Sequence, residues 1–228
     1  MPANSYEIRV CLSCGLRYPL VEGHPFGTRC PICMGETRVA LSRQLVSESG
    51  QDSPHGYTKR LGFLPSELKD ERRKSFAVLL DNIRSAWNVG SILRSADGFG
   101  FAHAYLCGIT PTADNEAVTK TSLGAEDSVP WSYHKDAVKL VKGLKAEGWK
   151  VYALEEDERA LSISQYPDSQ VPNPVVLIVG NEVTGVDPEL LDLCDQIFYI
   201  PMQGEKQSFN VAIAFSIAAY TLHAQKLK

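Results

Sequence analysis

From residue 76 onward, short uninterrupted apolar runs alternate with longer amphipathic stretches. FAVLLD (76–81), HAYLCG (103–108), KVYALE (150–155), VVLIVG (175–180) and QIFYIP (196–201) each have the length of a strand, and WSYH (131–134) adds a shorter one. Runs that are apolar at successive positions suit strands buried on both faces. Between them, residues 88–100 set Ile92, Leu93, Ala96 and Phe99 on one helical face, with Gly98 and Gly100 as the stop. Residues 135–147 read as an amphipathic helix and 188–193 as a short one. The last helix, 209–225, is apolar almost all round, which predicts burial against the sheet or a second subunit. The polar stretch after residue 108 reads as a loop. This alternation predicts an α/β domain with a mostly parallel sheet covered by helices, and in such sheets ligands bind beyond the carboxyl ends of the strands.

Before residue 76 the pattern changes. Cysteines organise residues 6–41, whereas 42–75 are polar and irregular and read as a linker ending in a short helix near 66–74. The expected division is a module at 1–41, a linker at 42–75 and the α/β domain at 76–228. A length of 228 residues accommodates that pairing. With 44% hydrophobic and 22% charged residues the composition is globular. No apolar run approaches the roughly 18–20 residues needed to cross a bilayer, and the polar start MPANSYEIRV lacks a signal-peptide core. No membrane association is expected, and the cytoplasm is the expected compartment.

The net charge of −4 argues against a nucleic-acid partner, but it is unevenly spread. Residues 1–75 carry 11 basic against 8 acidic side chains, and the remainder 12 against 19. The basic excess sits in the module and linker, densest at Lys59-Arg60 and Arg72-Arg73-Lys74. It is too weak to predict RNA binding by itself.

Cys11-Leu-Ser-Cys14 and Cys30-Pro-Ile-Cys33 have the paired spacing of a four-cysteine zinc site. Two residues between cysteines let one tight turn aim both sulfurs at one ion. Such a closed tetrahedral shell is structural, and it folds a segment too small to bury its own core. The segment resembles a zinc ribbon, and Arg9, Arg17, Arg29, Arg38 and Arg43 are expected to give it a basic surface on which RNA could dock; the alternative is a module that only stabilises the chain or contacts a second subunit. Cys107 and Cys194, isolated among apolar residues, read as small buried hydrophobes. His24 reads as a surface residue, and His55, His103, His134 and His223 have no partner pattern and are assigned to surface or core roles.

Three segments place polar residues at strand ends. In the first, Asn88 stands at an expected helix start, where capping is its ordinary role, and Arg94 follows nearly two turns on. In the second, Gly180 ends a strand, Glu182 follows, and Gly185 turns the chain; the Lys-Ser/Thr of a phosphate loop is missing. In the third, Pro201 and Gly204 break a strand, and Ser208 and Asn210 stand at the mouth of the last helix, where capping would explain one of the two.

Together these segments resemble the three motifs of the SpoU/TrmH branch of the SPOUT RNA methyltransferases. The matching text is Asn88-x-Gly90-x₃-Arg94-x-Ala96, then Gly180-Asn181-Glu182-x₂-Gly185, then Ile200-Pro201-Met202-x-Gly204-x₃-Ser208-Phe209-Asn210-Val211-Ala212. KTSLGAEDSVPW (120–131) resembles the family's intervening loop. The family more often carries Gly at Val183 and Leu at Phe209, differences that bear on pocket shape. The resemblance implies a SPOUT-type, mostly parallel sheet with a C-terminal trefoil knot, working as a homodimer. It implies an S-adenosylmethionine-dependent enzyme that methylates a ribose 2′-hydroxyl in tRNA or rRNA. Gly180, Ile200 and Phe209 would hold the cofactor's adenosine through backbone hydrogen bonds, with Met202 and Gly204 lining the same loop. Arg94 would be the central catalytic group, with Asn88, Glu182, Ser208 and Asn210 positioning ribose and phosphate. A guanidinium stays protonated, so a substrate phosphate or Glu182 competes with Arg94 as proton acceptor. The alternative is a non-catalytic RNA-binding or assembly protein of the same fold. A nucleotide hydrolase lacks its phosphate loop.

Overall fold

The computed structural model describes residues 5–21, 24, 27–44, 76–166, 174–205 and 208–224. The helix expected at 66–74, both basic clusters, His55 and the side chain of His223 lie outside the described residues.

The cysteine-bearing segment forms a three-stranded antiparallel sheet in the order β2-β1-β3, with β1 at Ser5–Cys11, β2 at Arg17–Val21 and β3 at Thr37–Gln44. Its own core is small: Cys11, Leu16, Tyr18 and Cys30, joined by Ile109 from the turn after residue 107 of the α/β domain. Two of the five arginines expected on its surface are buried. Arg9 is taken up by Glu7 and Thr37, and Arg17 by Asp187, because a segment this small has too little apolar residue to fill both faces of its sheet.

The second sheet has seven strands, all paired in parallel. In chain order they are β4 (Phe76–Asp81), β5 (His103–Cys107), β6 (Trp131–His134), β7 (Lys150–Leu154), β8 (Leu161–Ser162), β9 (Val175–Val179) and β10 (Gln196–Tyr199). Their spatial order is β6-β5-β4-β9-β7-β10-β8. Every residue of β4 and β9 is buried, as their unbroken apolar runs require. The period-2 alternation of a strand divides them between two cores. Val78, Leu80, Leu177 and Val179 face α1 (Ala86–Gly98) and α6 (Val211–Ala224). Ala77, Leu79, Val176 and Ile178 face α4 (Ala137–Ala146) and α5 (Pro188–Leu193).

Three local expectations change. Helix α1 begins two residues before Asn88, because Ser85 is the cap: its Oγ accepts the Asn88 N–H at 3.3 Å. The stretch expected as a loop after residue 108 contains α2 (Glu116–Ser122) and α3 (Ala125–Ser128), with Asn115 capping α2. They are too short for a readable periodicity, and packing against α1 holds them. Finally, α6 buries one face and leaves Ile213 and Tyr220 exposed. Cys107 is buried, as is His103, whose Nε2 lies 2.8 Å from Ser132 Oγ; Cys194 is half-buried. Among the described residues no helix is long and apolar enough to cross a membrane.

Helix α1 approaches α2 at Gly90. A Cβ there would lie under 3.0 Å from the Val118 carbonyl oxygen and the Ser122 backbone nitrogen. Backbone cannot yield as a side chain can, so crowding outweighs the helix propensity an alanine would gain. Gly90→Ala is expected to lower the unfolding free energy by about 1–2 kcal/mol in urea titration; an equally stable variant would mean the helices separate freely.

Candidate functional site

The carboxyl ends of β7, β9 and β10 surround a cavity of about 830 Å³, a size suited to a nucleoside-sized molecule. One wall is Leu154, Glu155 and Glu156, one is residues 179–185, and one comes from the chain after β10. Gly180, Ile200, Met202, Gly204 and Phe209 all line it, as do Glu182, Ser208 and Asn210. At Gly180 the backbone runs so close to Gly185 and Val186 that a Cβ would fall under 3.0 Å from their backbone atoms. Gly180 is therefore required by the loop's own packing as well as by access to the cavity.

The second and third segments meet the first through a chain of side chains. Glu182 Oε2 accepts the Arg84 N–H at 2.8 Å, and its Oε1 accepts the Ser85 N–H at 3.0 Å and Asn88 Nδ2 at 2.8 Å. Asn88 Oδ1 in turn accepts Asn210 Nδ2 at 3.0 Å. Asn210 also caps α6, its Oδ1 accepting the Ala212 N–H at 3.0 Å. Glu182 thus sits at the amino end of α1, where free N–H groups and the helix dipole favour a carboxylate. Asn88 is a bridge between loops, with its capping role taken by Ser85.

Arg94 is exposed on α1, does not line the cavity, and has no ion pair among the described residues, Asp97 included. It shares the outer stripe of α1 with Trp87, which stands two turns earlier and is 68% exposed. The fold thus gathers every candidate of the second and third segments at the cavity and leaves Arg94 apart.

Sequence reading missed the groups that hold the loop. Asn181 Oδ1 accepts the Val183 and Thr184 N–H groups, and its Nδ2 donates to the Asn82 carbonyl at 2.6 Å. Asn82 adopts a left-handed φ of 57°, a conformation asparagine tolerates better than most residues. Glu155 Oε2 accepts the Val186 N–H at 2.8 Å, and burial raises its carboxyl pKa. Asp81 Oδ2 accepts the Asp187 N–H at 2.9 Å, and burial beside Asp187 pushes the Asp81 carboxyl up to about 7. In sequence, Asp81-Asn82 at the end of an apolar strand was the available signal.

Away from the cavity, the four sulfurs of Cys11, Cys14, Cys30 and Cys33 lie within 4.8 Å of one another. Cys11 and Cys33 approach at 3.5 Å, and Cys14 and Cys30 at 3.6 Å. A tetrahedral shell with zinc–sulfur bonds near 2.3 Å needs sulfur–sulfur separations of about 3.8 Å, so the donor set fits such an ion. His24 is exposed and outside this cluster.

Residues 75–220 match the model of the SpoU rRNA methylase family. The tRNA (guanosine(18)-2'-O)-methyltransferase of Thermus thermophilus is 32% identical over 164 residues, which cover 71% of this chain and 81% of that protein. The 23S rRNA (guanosine(2553)-2'-O)-methyltransferase of Bacillus subtilis is 33% identical over 161 residues, covering 70% of this chain and 61% of that protein. The AdoMet-bound rRNA methyltransferase of Sinorhizobium meliloti superposes with a TM-score of 0.63 at 26% identity, covering 68% of this chain and 58% of that one.

The raised Asp81 carboxyl makes stability depend on pH. Its proton is held more tightly in the folded chain than in the unfolded one, whose ordinary value is 3.8. The stabilisation is full below that value and is lost as pH rises through about 7. Between those limits the wild-type chain is expected to lose on the order of 2–4 kcal/mol relative to Asp81→Asn, read as urea midpoints against pH. Parallel profiles for the two proteins would sink the assignment.

Proposed function

The chain belongs to the SpoU rRNA methylase family, and we propose that it is an S-adenosylmethionine-dependent RNA methyltransferase acting on a ribose 2′-hydroxyl of tRNA or rRNA. One observation carries this reading: two segments far apart in sequence wall one cavity, and Asn88 of a third ties them together through the Glu182–Asn88–Asn210 hydrogen bonds. The domain division in this reading is a zinc ribbon at 1–41, a linker at 42–75 and a knotted methyltransferase domain at 76–228, with the last strand of the ribbon, β3, running on to Gln44. The relatives named above act on tRNA in one case and 23S rRNA in another, and both classes remain within the proposal. The same reading assigns the enzyme to the cytoplasm.

Gly180, Ile200 and Phe209 hold the donor's adenosine through backbone groups, with Met202 and Gly204 completing the wall. When bound, S-adenosylmethionine supplies an electrophilic methyl on a sulfonium. What remains for the protein is to place a ribose oxygen in line and to see its proton leave. Glu182 is poorly suited to take that proton, because three N–H donors already fix its oxygens. It acts as a positioning group with Asn88 and Asn210, while Ser208, exposed at the cavity, is left to meet substrate. Arg94 orients the substrate phosphate that accepts the ribose proton, and offsets charge developing on the ribose oxygen.

A homodimer completes the site. Trp87, Ile213 and Tyr220 are exposed on α1 and α6, with Phe209 39% exposed beside them. A second copy covers this face, and the stripe that buries Trp87 carries Arg94 into the interface. One zinc ion closes the four-cysteine shell.

Transfer of labelled methyl groups from S-adenosylmethionine into total RNA, followed by mapping of the methylated riboses, tests the activity and names the RNA. Donor binding with no transfer to any RNA would favour a binding protein of the same fold. Arg94→Ala is expected to lower transfer by about 10²-fold or more with donor binding retained; near-normal turnover would remove Arg94 from the mechanism. Metal analysis of the purified chain is expected to find one zinc per chain, lost in Cys33→Ser; a metal-free folded wild type would refute the zinc assignment.

A further inference from the structure

The cysteine module and the cavity lie side by side on one edge of the large sheet. The module rests on the ends of β4, β5 and β6: the Arg17 N–H donates to the Lys135 carbonyl at 2.9 Å, Lys135 Nζ donates to the Cys14 carbonyl at 2.9 Å, and Ile109 packs into the module's core. The cavity opens over β9, β7 and β10. Between the two runs the loop 180–187.

That loop ends at a buried ion pair. Arg17 Nε donates to Asp187 Oδ2 at 2.6 Å and Nη2 donates to Oδ1 at 3.1 Å, with Glu189 Oε1 3.2 Å away. The Arg17 and Asp187 side chains are 7% and 2% exposed. Asp187 also caps α5 through the Glu189 N–H, and its own N–H is held by Asp81, itself buried. Two carboxylates are thus buried together, and among the described residues Arg17 is the cation paired with Asp187. Without that guanidinium Asp187 would be a buried charge with no countercharge, a cost that drives such a segment to shift. The backbone between Gly180 and Asp187 is tied to itself at Asn181 and Gly185 and to Glu155 at Val186, so a shift at Asp187 reaches the residues that wall the cavity.

We propose that Arg17 is a positioning residue for the methyl-donor site, through which the four-cysteine module holds the 180–187 loop in its donor-binding course. The inference rests on the methyltransferase reading above. Arg17 acts through Asp187 and touches no substrate. Its charge is the working part, so neutralising Asp187 should relieve the loss of Arg17, and asparagine at 187 keeps the helix cap.

The test is calorimetric titration of S-adenosylmethionine into the full, metal-loaded chain, alongside Arg17→Met, Arg17→Lys and the double variant Arg17→Met/Asp187→Asn. Arg17→Met is expected to weaken donor binding at least ten-fold with its metal retained. Arg17→Lys, which keeps the charge and loses the two-pronged geometry, should give a smaller loss, and it carries the test if Arg17→Met does not fold. The double variant should recover most of the lost affinity. Chelating the metal from the wild type should weaken donor binding as Arg17→Met does. Wild-type affinity in Arg17→Met and Arg17→Lys would overturn the coupling and leave the methyltransferase reading intact, as would a double variant no tighter than the single, which would make Arg17 a docking contact only. Failure of the wild-type chain to bind the donor at all would overturn both.

Discussion

At Gly180 the backbone leaves β9 and folds back against Gly185 and Val186 with no space for a side chain between them. Much else in the molecule follows from that contact. A loop closed so tightly cannot satisfy its N–H groups with a regular partner strand, so side chains must do it, and buried backbone groups are rarely left unpaired. Asn181 takes two of them, Glu155 takes Val186 and Asp81 takes Asp187. The polar groups assembled for this purpose account for the buried carboxylates at the sheet edge. They also leave the loop's other face, from Gly180 to Glu182, as a rigid cavity wall.

That rigidity constrains the chemistry. A carboxylate at the cavity is an obvious base when only residue types are known. Geometry assigns Glu182 differently, because its oxygens are spent on Arg84, Ser85 and Asn88, tying the loop to the start of α1. The same bonds fix Asn88, and through it Asn210 and the start of α6. The helices that carry the exposed Trp87, Ile213 and Tyr220 are therefore registered to the cavity by hydrogen bonds. The exposed face of α1 and α6 and the wall of the cavity are parts of one hydrogen-bonded arrangement.

The small module shows how a weak core is supplemented. Four cysteines, a leucine and a tyrosine cannot stabilise some 40 residues alone. A shared contact with Ile109 makes up part of the deficit, and the four clustered sulfurs form a donor set that fits a metal ion. Arg9 is taken up inside the module and Arg17 by Asp187 of the α/β domain, which leaves Arg29, Arg38 and Arg43 exposed. Its basic character toward a nucleic acid is thus smaller than its composition indicates.

The sequence by itself determined six of the seven strands of the large sheet, because an unbroken apolar run such as 175–179 is a property of neighbouring residues, whereas the two-residue β8 is too short to leave a pattern. It also determined the cysteine pairs and the motif residues lining the cavity, whose types and spacings are read without coordinates. Only the tertiary structure decided the strand order, the partnership of Arg17 with Asp187 170 residues away, and the use of Asn88 as a bridge in place of a cap. It alone showed Arg94 apart from the cavity and Asn82 at the centre of the loop's support. The physical reason is the same in each case: periodicity and propensity act over a few residues, whereas hydrogen bonds and ion pairs are chosen by which groups the folded chain brings within about 3 Å.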